Sequence, residues 1–317
     1  MAITRECLAI EGPGRTAVLV MAYGGPDSLA DVEPYIMDVR NFRPTSAELI
    51  EEMRSRYRAI GGRSPILDHT RAQARALGEA LRDAGTPMPV YIGMRHWHPY
   101  IARAFDEMRR DSIDRVIGLV MAPHQSRMSV GAYFRRVEEA AGNVEILRIE
   151  SWHLMPVYID AVESRIHEAL ETFPAGDRNN VRLLFTAHSL PERILAEGDP
   201  YVAQLEETVA ALAMRFPANP HAFAYQSAAM TPDPWLGPDA GTVMQSIAAS
   251  GGTNVVIAPI GFTSEHVEIL YDIDIEYAAR ARELGLDLRR IRMLNDDPRV
   301  MAGLARRVVE ELSTANV

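Results

Sequence analysis

"VMAPHQS" at residues 120–126 and "VIAPIGFTS" at residues 256–264 are two versions of one phrase: an apolar, β-branched run that stops at Ala-Pro and leads through a short stretch toward a helix. Proline cannot donate to a sheet ladder, so each phrase reads as the carboxyl end of a buried strand. Three further apolar runs accompany each. The first set comprises "TAVLVMAY" (16–23), "MPVYIGMRH" (88–96), "RVIGLVMAP" (115–123) and "VEILRIES" (144–151). The second comprises "VRLLFTAHS" (181–189), "HAFAYQSA" (221–228), "TNVVIAPIG" (253–261) and "LDLRRIRML" (286–294). Amphipathic stretches of helical spacing separate them, which is the βαβ pattern of parallel sheets covered on both faces.

The order of elements therefore predicts an α/β protein of two similar Rossmann-like domains, each a four-stranded parallel sheet flanked by helices. Agreement in both order and wording points to internal duplication. The expected boundary falls near residue 152, giving domains of 1–152 and 153–296. "SWHLMPVYIDAVESRIHEALETF" (151–173) reads as the connecting helix, beginning near Pro156. The closing segment 297–317 opens on an Asp-Pro cap with helical apolar spacing, and is expected to pack back across the first half.

Composition narrows the function. The chain has 317 residues, 47% apolar and 24% charged, the balance of a folded globular protein. A net charge of −10 disfavours nucleic acid and favours cations as guests. Cys7 is the single cysteine, so an internal disulfide and a cluster held by several thiolates are both excluded. No apolar run approaches the ~20 residues of a membrane span. The opening stretch carries scattered charges and no secretory apolar region, and a cytoplasmic protein is expected. No GxGxxG, GxxxxGK[ST] or GxSxG sequence follows any strand, so neither a nucleotide cofactor nor a hydrolase elbow is supported.

Ligands of open parallel sheets bind beyond the carboxyl ends of the strands. Those ends carry Tyr23, Arg95, His96, His98, His124, His188, Gln226 and Ser227, followed by the acidic stretch "FTSEHVEILYDIDIEY" (262–277). His188 ends an apolar run and precedes Ser189 and Pro191; it reads either as a proton- and metal-handling imidazole or as a loop histidine in an ordinary hydrogen bond.

Glu268, Asp272 and Glu276 recur every four residues, which on an α-helix makes a slowly drifting stripe, since four residues advance by about 400°. On a solvated face such pairs cost only about 0.2–0.5 kcal/mol each. In a cleft, at an effective dielectric near 20 and ~6 Å separation, each costs on the order of 3 kcal/mol, and the row would hold protons or attract a cation. The apolar neighbours Val267, Ile269, Leu270, Tyr271 and Ile273 favour the buried case. One imidazole with several carboxylates makes a mixed N/O set suited to Fe(II), Co(II), Zn(II) or Mn(II), without the closed four-ligand set of structural zinc.

Tyr23, Arg40, Arg43, Arg56, Tyr57 and Ser64 in the first half could stack on a flat ring and pair with its carboxylates. Arg56 and Tyr57 fall at the end of an amphipathic helix, where a surface position is the ordinary expectation.

The segments "VLVMAYGGPDSLADVEPY", "RYRAIGGRSPI", "GMRHWHPY", "APHQSRMSVGAY", "FTAHSLPERILAEGDPY", "YQSAAMTPDPWLGP" and "GFTSEHVEILYDIDIEY" together resemble the ferrochelatases, which insert Fe(II) into a porphyrin, in the family's order over essentially the whole chain. The resemblance implies a chelatase-like fold and a lyase activity of haem biosynthesis. It implies that His188 and Glu268 bind metal and relay protons, and that Asp272 and Glu276 form an acidic track. Tyr23, on the same ground, faces the metal from the other side of the ring, and Arg40, Arg56, Tyr57, Ser64 and Tyr133 hold the porphyrin.

The implied substrates are ferrous iron and a porphyrin, with coproporphyrin III favoured over protoporphyrin IX because "MAYG" and "APHQSRMS" are closer to that branch. No tightly bound cofactor and no iron–sulfur cluster are expected, and contact with other haem-pathway enzymes would be transient. A cobalt or nickel chelatase for another tetrapyrrole, and a haem or metal carrier without turnover, stand as alternatives.

Overall fold

A computed structural model describes residues 16–229 and 233–315; Cys7 lies outside them. The first half runs β1 (Thr16–Ala22), α1 (Val32–Val39), α2 (Ala47–Ala59), α3 (Ile66–Asp83), β2 (Val90–Met94), α4 (Ile101–Arg110), β3 (Arg115–Val120), α5 (Val130–Ala141) and β4 (Glu145–Ile149). The second runs α6 (Pro156–Glu171), β5 (Arg182–His188), α7 (Arg193–Ala196), α8 (Tyr201–Ala213), β6 (His221–Gln226), α9 (Ala240–Ala249), β7 (Asn254–Ala258), α10 (Val267–Leu270), a π-helical segment (Asp272–Tyr277), α11 (Ala278–Glu283) and β8 (Asp287–Arg290). The last helix, α12, spans Pro298–Ala315.

All eight expected strands form, in two four-stranded parallel sheets of order β2-β1-β3-β4 and β6-β5-β7-β8. The two orders are the same, so Tyr23 and His188 stand at equivalent strand ends, one beyond the last residue of β1 and the other at the last residue of β5. Ala17–Met21 and Leu183–Phe185 are fully buried, as strands covered by helices on both faces must be. Each fully buried large side chain contributes roughly 1.5–3 kcal/mol of transfer free energy.

The two echoing phrases meet where the halves join: the Thr263 hydroxyl donates to Met121 O at 2.9 Å. The loop after β3 also docks on the start of α8. There the Asp199 carboxylate accepts from Ser126 Oγ (3.0 Å) and Arg127 N (2.7 Å), and Gln204 Oε1 accepts from Gln125 N (2.7 Å). The largest apolar cluster runs through both halves, from Val18 and Leu77 to Phe185 and Val256, and takes in Val300, Met301, Leu304 and Val308 of α12. Asp297 caps α12 by accepting from Arg299 N (2.9 Å), and the helix lies against α3 and β4 of the first half. Among the described residues no helix is long and apolar enough to cross a membrane.

The acidic stretch departs from a regular α-helix. Glu276 N donates to Tyr271 O (3.0 Å), a five-residue closure that widens the turn over Asp272–Tyr277. In an α-helix a four-residue step overshoots a full turn; in the wider turn it falls short. The step from Glu268 to Asp272 is α-helical and that from Asp272 to Glu276 is wider, so Glu276 returns toward the side of Glu268 instead of drifting further round.

Candidate functional site

Two loops bring an imidazole and a carboxylate together. His188 ends β5, and Glu268 lies in α10, which follows the loop from the adjacent strand β7. That loop reaches β5 because residue 261 is glycine: a Cβ there would stand 2.8 Å from Ala187 Cβ, closer than real Cβ atoms come. His188 Nδ1 and Glu268 Oε2 are 3.1 Å apart, with 34% and 30% of the two side chains still accessible. Neither of these buried atoms completes a hydrogen bond. The contact is an electrostatic one between two atoms that are themselves withdrawn from solvent, while the rest of each side chain stays partly accessible. His266 donates from Nδ1 to Ser264 O (2.9 Å) and brings Nε2 to 3.9 Å from the same Glu268 oxygen.

The charges are shifted in opposite directions. Desolvation favours a neutral His188, but the adjacent Glu268 charge and then the Asp272 charge outweigh it and hold the imidazole pKa above its ordinary value. For Glu268, desolvation is overcome by His188 and then His266, and its pKa falls well below the carboxylate range. Asp272 is pushed up to about 6 by burial and by the Glu268 charge, against the lowering effects of Ser227 and Arg56. The row thus holds one firmly ionised carboxylate beside one that titrates near 6.

Arg56 closes the row from the other half. Its Nη1 donates to Asp272 Oδ1 (3.2 Å), its Nη2 lies 3.8 Å from Glu276 Oε1, and its guanidinium sits 5.0 Å above the Tyr271 ring. Ser227 donates from the opposite side to Asp272 Oδ2. Tyr57, at a helix end where exposure was the ordinary expectation, is buried with Tyr35 and Trp97 in a cluster that also packs Val267, the first residue of α10. The excursion between β1 and α3 therefore lies against the acidic helix.

Tyr23 is 36% exposed, and its ring lies 4.7 Å from His96 and 5.7 Å from the Arg95 guanidinium. Although the residue is partly exposed, desolvation of its hydroxyl pushes the pKa up to about 12; Arg95 opposes this, and the Glu268 charge of the other half adds to it. The buried Tyr133 ring is 5.6 Å from the same guanidinium, and its pKa also responds to Glu268. Ser64 is buried beneath Gly25, where a Cβ would meet it at 2.5 Å. Arg40 stands apart from the pair: its Nη2 turns back to Pro44 O (3.4 Å).

His96 and Arg95 follow β2 and were visible as strand-end residues, but their joint placement was not. His96 donates from Nδ1 to Asp38 Oδ1 (2.7 Å), which leaves a buried Nε2 acceptor without a partner beside Tyr23. Burial, and then Arg95, lower its pKa to about 4, so it is neutral at physiological pH. Among the described residues no group of three or more His, Cys, Asp or Glu side chains is arranged to hold a metal ion by itself.

A family model described as Ferrochelatase matches residues 15–312. A ferrochelatase of Herpetosiphon aurantiacus is 44% identical over 290 residues, covering 90% of this chain and 95% of that protein. A coproporphyrin III ferrochelatase of a Geobacillus species is 36% identical over 304 residues, covering 94% and 98%. Among solved structures, SirB from Bacillus subtilis superposes with a TM-score of 0.58 at 12% identity, covering 95% of this chain and 97% of that one. CbiX, an enzyme of sirohaem biosynthesis in denitrifying bacteria, gives 0.53 at 15%, covering 94% and 99%. At such identities both show the fold alone.

Proposed function

The chain belongs to the ferrochelatase family and is a metal chelatase of the lyase class, and from that premise we propose that its natural porphyrin is coproporphyrin III and that His188 and Glu268 carry the metal and the protons. The observation that bears most weight is the pair itself: an imidazole nitrogen and an ionised carboxylate 3.1 Å apart, neither satisfied by a hydrogen bond.

Insertion exchanges two pyrrole N–H protons for one dication and changes no oxidation state. It therefore needs a base, a place to shed water from the metal, and a route for protons. It calls for no redox group, and a reducing cytoplasm suits it because Fe(II) is the species inserted. In this reading the Glu268 charge, by raising the proton affinity of His188, makes the imidazole a stronger base toward a pyrrole N–H. Glu268 stays ionised and draws the incoming cation. Asp272 and Glu276 continue the acidic row outward, and Tyr23 faces the ring from the other half. Ser64, Tyr57, Tyr133, Arg40 and Arg56 hold the macrocycle; for Arg56 this requires release from Asp272.

Support for coproporphyrin III comes from the Geobacillus relatives that carry that substrate in their names, and from the "MAYG" and "APHQSRMS" segments. The test is a steady-state assay of the purified protein with Fe(II), Co(II), Ni(II) and Zn(II) against coproporphyrin III and protoporphyrin IX. Fe(II) with coproporphyrin III should give the highest kcat/KM over many turnovers. A higher value with protoporphyrin IX overturns the substrate, a preference for Co(II) or Ni(II) overturns the metal, and a single turnover points to a carrier.

A further inference from the structure

We infer that Gln226 is a positioning residue that sets the spacing of His188 and Glu268, an inference that rests on reading those two as the metal-handling pair. Gln226 is the last residue of β6 and is fully buried. Its backbone carbonyl accepts from Ser189 N (2.8 Å), the residue after His188. Its side-chain Nε2 donates to the backbone carbonyl of Glu268 (3.1 Å). One residue is thus bonded to both loops that supply the pair.

The amide orientation is determined by its partners. The Glu268 carbonyl can only accept, so the –NH2 must face it. The Thr186 hydroxyl, on β5 two residues before His188, then donates to Oε1 (2.8 Å). Every polar group of the side chain is engaged, as burial demands. The following residue, Ser227, holds a left-handed backbone (φ 59°) and directs its hydroxyl to Asp272, one turn beyond Glu268. The end of β6 therefore grips the acidic helix at two successive levels.

The clamp matters because the pair does not fix itself. Its facing atoms make no hydrogen bond with each other, so no directional contact between the two side chains holds them at 3.1 Å. The spacing is imposed through the backbone, where Gly261 N donates to Thr186 O (3.3 Å), and the Thr186–Gln226–Glu268 chain adds a side-chain connection across it.

The experiment compares Gln226→Met, Thr186→Val and the double variant with the wild-type chain, reading the anaerobic Fe(II) KM and, separately, the affinity for porphyrin without metal by fluorescence quenching. Gln226→Met keeps the length and removes both polar groups; its Fe(II) KM should rise about 10-fold or more while porphyrin affinity stays unchanged. Thr186→Val should shift the Fe(II) KM in the same direction by less. The double variant should be no worse than Gln226→Met, because Thr186 acts only through the amide.

An unchanged Fe(II) KM in Gln226→Met overturns the inference, as do porphyrin affinity falling in step with it and the two single effects adding. Should Gln226→Met fail to fold, Thr186→Val, which loses one hydroxyl, must still raise the Fe(II) KM alone, and a wild-type value there overturns the inference as well. His188→Ala separates the two levels: normal metalation by that variant removes the pair reading, whereas an inactive His188→Ala beside a normal Gln226→Met removes only the role of Gln226.

Discussion

His188 Nδ1 lies 3.1 Å from Glu268 Oε2, yet the two groups are turned so that no hydrogen bond forms between them. A pair kept for stability would align, because a buried charge-assisted hydrogen bond is worth about 1.5–3 kcal/mol. Each side chain nonetheless keeps about a third of its surface accessible. His188→Ala is accordingly expected to lower kcat for Fe(II) insertion by at least about 100-fold, the scale on which a positioned acid–base group acts. Porphyrin binding, followed by fluorescence quenching, should change little. Metalation at the wild-type rate would show that the imidazole is not the base.

Asp272 supplies a pH dependence whose sign can be worked out. Its folded-state pKa of about 6 lies above the usual value of 3.8, so the folded state favours the protonated form. The stability associated with that proton is complete below pH ~4 and is lost as pH rises through ~6, a separation worth roughly 3 kcal/mol. Asp272→Asn, neutral at every pH, should therefore be stabilised relative to wild type at pH 8 and not at pH 4, as read by thermal melts at both. In the proposed role of the acidic row, ionised Asp272 also strengthens the attraction for Fe(II). The fall in wild-type Fe(II) KM between pH 5 and pH 7 should be flattened in the variant.

Arg56 reaches across from the first half to lower the pKa of that same carboxylate, with Nη1 3.2 Å from Asp272 Oδ1. Arg56→Met removes the cation and keeps much of the apolar stem. The pH midpoint for Fe(II) KM should move upward by up to roughly one unit. A midpoint that stays in place would mean that burial, Glu268 and Ser227 set the Asp272 pKa without Arg56.

The strands were legible because each is an apolar run bounded by proline, glycine or a polar turn, and because the two sets repeat one order. The outer strands end earlier than their runs suggest: β8 stops at Arg290, whose guanidinium leaves the sheet to pair with Asp274 at 2.7 Å. His188 and Glu268 could be picked out as strand-end and helix-start residues, and the family's motifs named them. Other relationships depend on tertiary contacts that no local pattern carries. Arg56 and Asp272 are 216 residues apart, and nothing near either announces the other. Tyr57 reads as a helix-end surface residue until the excursion between β1 and α3 folds onto Val267. Carboxylates four apart look alike on an α- or a π-turn; the difference lies in one backbone bond, Glu276 N to Tyr271 O.

Gly261 offers a test of how the His188–Glu268 pair is assembled without touching either member. A Cβ at this position would meet Ala187 Cβ at 2.8 Å and Ala187 Cα at 3.1 Å, on the strand residue just before His188. Both neighbours belong to β5 in the middle of its sheet, so neither can yield cheaply, and the loop after β7 must move outward instead. Gly261→Ala should cost about 1–3 kcal/mol in stability, the usual range for an overpacked interior. The same displacement carries α10 away from β5, so kcat for metal insertion should fall further than the stability loss alone would bring about at a temperature where the variant is fully folded. The measurement is a denaturant titration paired with a steady-state assay at 25 °C. Wild-type kcat in a destabilised variant would show that the pair tolerates movement of this loop.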